Sequence, residues 1–274
     1  MLAATLLALG SAVLHAGWNL VAKRSADPFL ALWGQFAVAA VIGAVVLLAT
    51  RSLPAGAWVW AAIAGTVHIV YVAALAGAYD HGDFSVAYPI ARGGGAVLAA
   101  VGGVVALDDH LSPWTAVAIA IVAGGMGILA IGAHGPQVRI ALVVAVTIGI
   151  YTTTDSHAAR TYETLTYPFA TFVMTGLCVS AYGWSTGRAA EMTRTMRVNW
   201  RQYALTGATT VTTYTMVVLA VRRAPVGYVA ALRESSVLLA AFLGARYLAE
   251  RQARRRSAAA VVIMGGLVLL IATG

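Results

Sequence analysis

Residues Ser85–His110 read SVAYPIARGGGAVLAAVGGVVALDDH, and residues Val226–Arg251 read VGYVAALRESSVLLAAFLGARYLAER. Each stretch sets an arginine inside an apolar run, Arg92 in the first and Arg233 in the second. An offset of 141 residues lays ARGGGAVLAA on LRESSVLLAA, so Arg92 meets Arg233. The same offset pairs Asp109 with Glu250 and Gly124-Gly125 with Gly265-Gly266, without a gap. A charged side chain near the centre of a bilayer costs roughly 2.5–3.5 kcal/mol or more. Two arginines kept at equivalent places of an internal repeat therefore point to a site between two half-molecules, as in a transporter.

Composition supports a membrane reading. The chain has 274 residues, 60% of them hydrophobic and 10% charged, whereas a soluble domain carries about 25% charged residues. Apolar runs long enough for roughly 30 Å of hydrocarbon recur along its whole length. The first of these has neither a basic n-region nor a cleavage site and is read as a retained helix. Cys178 is the single cysteine, which leaves no internal disulfide framework. The net charge of +8 is spread between apolar runs, where it faces the lipid surface and is not a nucleic-acid stripe.

Ten spans follow: Leu2–Ala22, Pro28–Ala49, Trp58–Tyr79, Phe84–Ala106, Pro113–Ala133, Ile140–Ala158, Tyr167–Thr186, Trp200–Val221, Val226–Tyr247 and Ala258–Ala272. Breaks fall at Asp27-Pro28, Arg51 to Gly56, Asp80 to Asp83, Asp108 to Pro113, His134 to Pro136 and Glu191 to Asn199. The expected fold is an all-α integral membrane protein of ten transmembrane helices. Residues 1–134 form a first five-helix repeat and 135–274 a second, in one membrane domain. Five is odd, so the second repeat enters with opposite polarity, and the inverted pair encloses a central cavity. Arg92 and Arg233 each lie about two turns into their spans, roughly 10–12 Å from opposite faces. The loops after spans one, five, seven and nine, with the adjoining span ends, hold twelve Lys and Arg against four on the other side. That count places both termini outside.

Polar faces on several spans are what a cavity requires. His15, Trp18 and Asn19 share one helical face; so do His68 and Tyr71. Tyr151 and Asp155 stand at i,i+4, as do Thr210 and Tyr214. Tyr88-Pro89 precedes Arg92, and the proline frees backbone carbonyls. Each residue also has a packing reading: an interhelical hydrogen bond for His68 or Tyr214, a cap at the end of span six for Asp155, an ion pair for Glu234 with an arginine. Asp155 is the candidate proton carrier, since a carboxyl removed from water trades charge for a proton. Gly93-Gly94-Gly95 lacks the strand and lysine of a phosphate loop; Gly95, Ala99 and Gly103 form a small-residue stripe for helix packing. Asp108-Asp109-His110 ends a span, and its repeat partner Ala249-Glu250-Arg251 has no matching ligands, so no metal and no cofactor is expected.

Two patterns close the halves: LDDHLSPW (Leu107–Trp114) with VAGGMGILA (Val122–Ala130), and LAERQARR (Leu248–Arg255) with VIMGGLVLLIA (Val262–Ala272). With the five-plus-five spans, they resemble the drug/metabolite transporter superfamily, of the EamA type, over essentially the whole chain. The first half has aspartates where the family carries glutamate. The stretch GDFSVAYPIARGGG (Gly82–Gly95) is similar to members found with phosphonate-utilisation genes. The resemblance implies a multi-pass carrier of the bacterial inner membrane, often an exporter, that works by alternating access and is not an enzyme.

On this reading the chain carries small polar metabolites: amino acids, aminophosphonates or organic anions. Arg92 and Arg233 bind a carboxylate or phosphonate through paired hydrogen bonds. Glu234 or Asp155 faces an ammonium group, and His15, Trp18, Asn19, His68, Tyr71, Tyr88, Tyr151 and Tyr214 shape the cavity. The alternative is a proton-coupled exporter of cationic drugs, with the arginines as structural partners. An intramembrane lipid-phosphate enzyme is more remote, since its carboxylate cluster or positioned Ser or His is missing. The expected partners are a small-molecule substrate and the lipid bilayer, with no nucleic acid, for a monomer or homodimer.

Overall fold

The computed structural model describes residues 1–81, 84–132, 135–162, 164–239 and 253–273. The helices are α1 (Leu2–Arg24), α2 (Pro28–Thr50), α3 (Ala57–His81), α4 (Phe84–Ala106), α5 (Pro113–Ala130), α6 (Pro136–Thr161), α7 (Tyr167–Ser185), α8 (Ala189–Val221), α9 (Val226–Arg233) and α10 (Ala253–Thr273). Among the described residues, seven helices are long and apolar enough to cross a membrane: α1 to α6 and α8. Ala258–Thr273 adds a shorter apolar helix. In hydrocarbon, a helix satisfies its own backbone, which is why this composition yields helices.

The helix starts follow local chemistry. Asp27 caps α2 by accepting from the Leu30 amide, with Pro28 at the first helical position. Ser112 caps α5 through the Thr115 amide, ahead of Pro113. The expected break from Glu191 to Asn199 is a correction: α8 already begins at Ala189, and the backbone leaves helical geometry only at Asn199. The early turns are polar and exposed, and they are tied down by Arg188, which bridges Asp27 and Glu191. Met192 buries their apolar side against Gly183. The ninth span also departs from expectation, because α9 stops at Arg233, turns at Glu234 and is helical again over 235–239. The remainder of that span lies outside the described residues, as do Ala133, His134 and Glu250.

Many small residues face inward, and many branched ones face outward. Ala4, Ala8, Ala12, Ala61, Ala64 and Ala99 are fully buried, whereas Val45, Leu48, Val105, Leu205 and Val261 are exposed. That distribution suits helices that gain from close contact and not from expelling water. α4 packs on α5, α6 and α9; α3 packs on α6 and α7; α2 packs on α7 and α8; α1 packs on α8 and α9; and α5 packs on α10. The Gly95–Ala99–Gly103 stripe lies in these contacts. A methyl at Gly95 would sit 2.5 Å from Ile148 Cγ2, and Gly103 lies against Asp109 and Val226.

Asp109 joins three segments. Its Oδ1 accepts from Arg160 Nη1 at 2.8 Å, and its Oδ2 accepts from the Val226 amide at 2.6 Å. Arg160 also donates to the Val221 and Ala224 carbonyls. The loop after α4, the end of α6 and the α8–α9 turn are thus held together. Asp109→Ala strands the Arg160 guanidinium and the α9 N-terminus, and is expected to lower stability by about 1–3 kcal/mol. Asp108→Asn, at a left-handed position (φ 54°) that Asn tolerates, is expected to stay within about 0.5 kcal/mol. Thermal unfolding in detergent reads both.

The glycine pairs Gly124-Gly125 and Gly265-Gly266 divide their labour across α5 and α10. A methyl at Gly125 would lie 2.5 Å from Ile263 Cγ1, and one at Gly266 would lie 3.0 Å from the Val122 amide nitrogen and 3.1 Å from the Ala118 oxygen. Gly124 and Gly265 face open space. Gly125→Ala and Gly266→Ala are therefore expected to destabilise by about 1–3 kcal/mol through overpacking. Gly124→Ala and Gly265→Ala are expected to stabilise by about 0.5–1 kcal/mol, the helical advantage of alanine. The four melting curves check the ranking.

Candidate functional site

The cavity assembles where α1, α2, α3, α6, α7, α8 and α9 converge. His15 and Trp18 come from α1, Phe36 from α2, His68 and Tyr71 from α3, and Tyr151 from α6. α7 adds Thr171, Phe172 and Thr175; α8 adds Thr210, Thr213 and Tyr214; α9 adds Arg233. The space measures about 40 Å³, which suits a few waters and is far below the roughly 300–1,000 Å³ of drug-sized pockets.

Stacked rings fix the walls. The rings of His15 and Trp18 meet edge to face at 4.7 Å, and the Asn19 amide donates to the His15 carbonyl at 2.9 Å. Asn19 thus shares the His15 face but is not among the lining residues. His68 Nδ1 lies 2.7 Å from the Ala64 carbonyl, so its ring is held by its own helix. That ring sits 4.7 Å from Tyr151, 5.5 Å from Tyr71 and 5.7 Å from Phe36. Phe172 packs on Tyr214 at 5.5 Å.

The charged residues divide into two arrangements. Arg92 Nη2 donates to Glu234 Oε1 at 2.6 Å, with both side chains at most 5% exposed. The pair joins α4 to the turn that ends α9, and neither residue is among those lining the cavity. Tyr88, one turn before Arg92, lies 3.3 Å from the Ser236 hydroxyl and is likewise off the cavity wall. Arg233 is also buried, at 5%, but it lines the cavity, and among the described residues no carboxylate lies within ion-pair distance of it. Two guanidiniums and one carboxylate leave this cluster with an excess positive charge. A buried charge without a counter-charge is strongly unfavourable.

Asp155 sits beside the cavity and not at a helix end. It lies mid-helix in α6, 3% exposed, where Tyr167 Oη donates to Oδ1 at 2.6 Å and Tyr214 Oη donates to Oδ2. Tyr214 lines the cavity, so one hydroxyl separates the carboxylate from that space. Sequence reasoning missed Tyr167, Phe36, Phe172, Thr171, Thr175 and Thr213. The i,i+4 spacing of Thr171 and Thr175 was the available signal, but threonine faces are common in such helices. Several buried polar atoms around the cavity have no hydrogen-bond partner: Trp18 Nε1, Arg233 Nε, and the hydroxyls of Thr175, Thr210 and Thr213. Thr215, off the cavity wall, also lacks one.

Residues 136–272 match the model of the EamA-like transporter family. The match runs from α6 through α10 and covers half of the chain. No curated protein matches the chain. A solved crystal structure of a protein is similar at 16% identity and a TM-score of 0.69, with 98% of each chain covered. At that identity the likeness shows a shared fold. Together with the apolar helices, the family match supports a multi-pass membrane protein. By that match, the chain belongs to the EamA-like transporter family, within the drug/metabolite transporter superfamily.

Proposed function

We propose that the chain is a secondary active transporter, an exporter or exchanger, that carries small polar metabolites by alternating access. Its cargo is an amino acid, an aminophosphonate or an organic anion, and its place is the bacterial inner membrane. The observation that carries this reading is Arg233, a buried guanidinium that lines the cavity without a carboxylate partner among the described residues. An anionic cargo supplies the missing counter-charge, and a guanidinium offers it paired hydrogen bonds. Arg92, held by Glu234, adds positive potential behind it and is released to bind cargo only if that pair opens.

Alternating access calls for two halves that can rock against each other around a shared site. The proposed halves are residues 1–134 and 135–274, as inverted repeats. The packing supports this. Exchanging α1–α5 with α6–α10 in order turns α4·α6 into α9·α1, α3·α7 into α8·α2 and α3·α6 into α8·α1. The α2·α7, α4·α9 and α5·α10 contacts map onto themselves. An odd number of spans per half then requires opposite polarity. Asp155 is the proposed proton carrier, with Tyr214 as its link to the cavity.

One observation favours a second reading. Glu234 Oε2 is buried without a hydrogen-bond partner, an unmet acceptor for a cationic drug, although neither Glu234 nor Asp155 is among the residues lining the cavity. Substrate charge separates the readings. Purified protein in detergent is melted against amino acids, phosphonates, organic anions and lipophilic cations. A ligand at about 100 times its Kd stabilises by about 2.7 kcal/mol. The expected result is a shift with zwitterions or anions that disappears in Arg233→Ala. Shifts with cations alone, lost in Asp155→Asn or Glu234→Gln, establish the cation exporter instead.

The buried pair gives its own expected outcome. Glu234→Gln leaves Arg92 charged and unpaired, and is expected to cost about 3–5 kcal/mol of stability. Adding Arg92→Met to Glu234→Gln is expected to restore most of that loss. Additive losses in the double variant would show that the two side chains do not act as a pair.

A further inference from the structure

Threonines in these helices ordinarily turn their hydroxyls back onto their own backbone. Thr206 donates to Gln202 O at 3.0 Å, Thr209 to Leu205 O at 2.7 Å and Thr212 to Ala208 O at 3.0 Å. This is the low-cost arrangement for a hydroxyl in an apolar bundle. Thr210 and Thr213 on the same helix, and Thr175 on α7, do otherwise. All three line the cavity, all are more than nine-tenths buried, and none of their hydroxyls has a hydrogen-bond partner. A buried hydroxyl left without a partner is costly. Three converging on one cavity form a donor and acceptor cluster that a ligand satisfies.

The same cavity holds two further kinds of surface. Arg233 supplies its cation, and the rings of Phe36, His68 and Phe172 supply an apolar wall. From this combination we infer that Thr175, Thr210 and Thr213 form a subsite for an uncharged hydrogen-bonding group, so that the cargo is an organic anion with a hydrocarbon middle and a hydroxyl or amide at a distance from its acidic group. The inference rests on the anion reading of Arg233 and adds to it what the rest of the cargo carries. Hydroxyls of threonine both donate and accept, so they suit a neutral hydroxyl or amide better than a second charge. A site built to hydrogen-bond a substrate group discriminates against the analogue that lacks it, because its own polar atoms are then left unpaired.

Matched ligand pairs test this on the full-length protein in detergent, with melting temperature and equilibrium binding as readouts. The pairs are phenylacetate against 4-hydroxyphenylacetate, and hexanoate against 6-hydroxyhexanoate. For wild type, the hydroxylated member of at least one pair is expected to bind about fivefold more tightly, the worth of one net hydrogen bond. In the triple variant Thr175→Val/Thr210→Val/Thr213→Val, that preference disappears while the unsubstituted carboxylate binds as before. Thr210→Ser, which keeps the hydroxyl, keeps the preference. Without ligand, the triple variant melts no lower than wild type, since valine removes unpaired polar atoms at nearly constant volume. A preference that survives in the triple variant, or a ligand-free melting temperature that falls by several degrees, overturns the subsite. Equal binding of both members of each pair to wild type overturns it too and leaves the anion reading standing. Binding of neither member, with no anion of the wider panel active, overturns both.

Discussion

The Arg92–Glu234 ion pair is the interaction on which the centre of the bundle depends. Two oppositely charged groups in a low-dielectric interior are stable only together, because removing either leaves an unpaired buried charge. The pair crosses from α4 to the turn at Glu234 where α9 stops. In an unbroken helix, successive residues point about 100° apart. At Glu234 the chain instead makes a turn, with its amide on the Ala231 carbonyl and its own carbonyl taken by the Val237 amide. Adjacent residues here do different work: Glu234 closes on Arg92 while Arg233 lines the cavity.

Close helix contact makes such a polar centre tolerable. Alanine and glycine sit at the closest helix contacts around it, while Val45, Leu48 and Leu205 face outward. α4 lies against α6 through Gly95 and Gly94, and α5 lies against α10 through Gly125 and Gly266. Backbones that approach this closely leave little free volume, which accords with a cavity of about 40 Å³. Such a space is smaller than a metabolite-sized cargo.

Much of this was legible in the sequence, and the rest was not, for physical reasons. Apolar runs and Pro, Ser and Asp breaks located the helices, because hydrocarbon thickness and capping chemistry act locally. The arginines in the ARGGG and LRESS segments pointed to the centre, since a charge inside an apolar run is too costly to persist without a partner or a cargo. The contacts of Asp155 were not legible. Tyr167 lies 12 positions further on and Tyr214 lies 59 positions away, and nothing local in either segment marks the meeting. Nothing local marks Arg160, although its partners Asp109, Val221 and Ala224 make it a clamp between three segments. The early start of α8 was hidden by its polarity: residues 189–198 are too hydrophilic to span and helical all the same, held by Arg188 and Met192. The cavity threonines were hidden by their number, because only the three-dimensional structure separates those that bond back to a carbonyl from those that do not.

The offset that aligns the two arginines also locates the origin of the cavity's charge. It sets Gly93 opposite Glu234, so the first half has Arg-Gly where the second has Arg-Glu. A glutamate at both places would give each arginine a partner and leave the centre neutral. Position 93 has no room for one: even a methyl there would lie 2.7 Å from Met126 Cβ, on the neighbouring α5. The packing of α4 on α5 thus excludes the second carboxylate, and the single carboxylate that remains is drawn to Arg92. Arg233 is left facing the cavity with its charge unmatched among the described residues. The exchange of glycine for glutamate at this position is one of several differences between the two segments, and it leaves two guanidiniums with one carboxylate among the described residues.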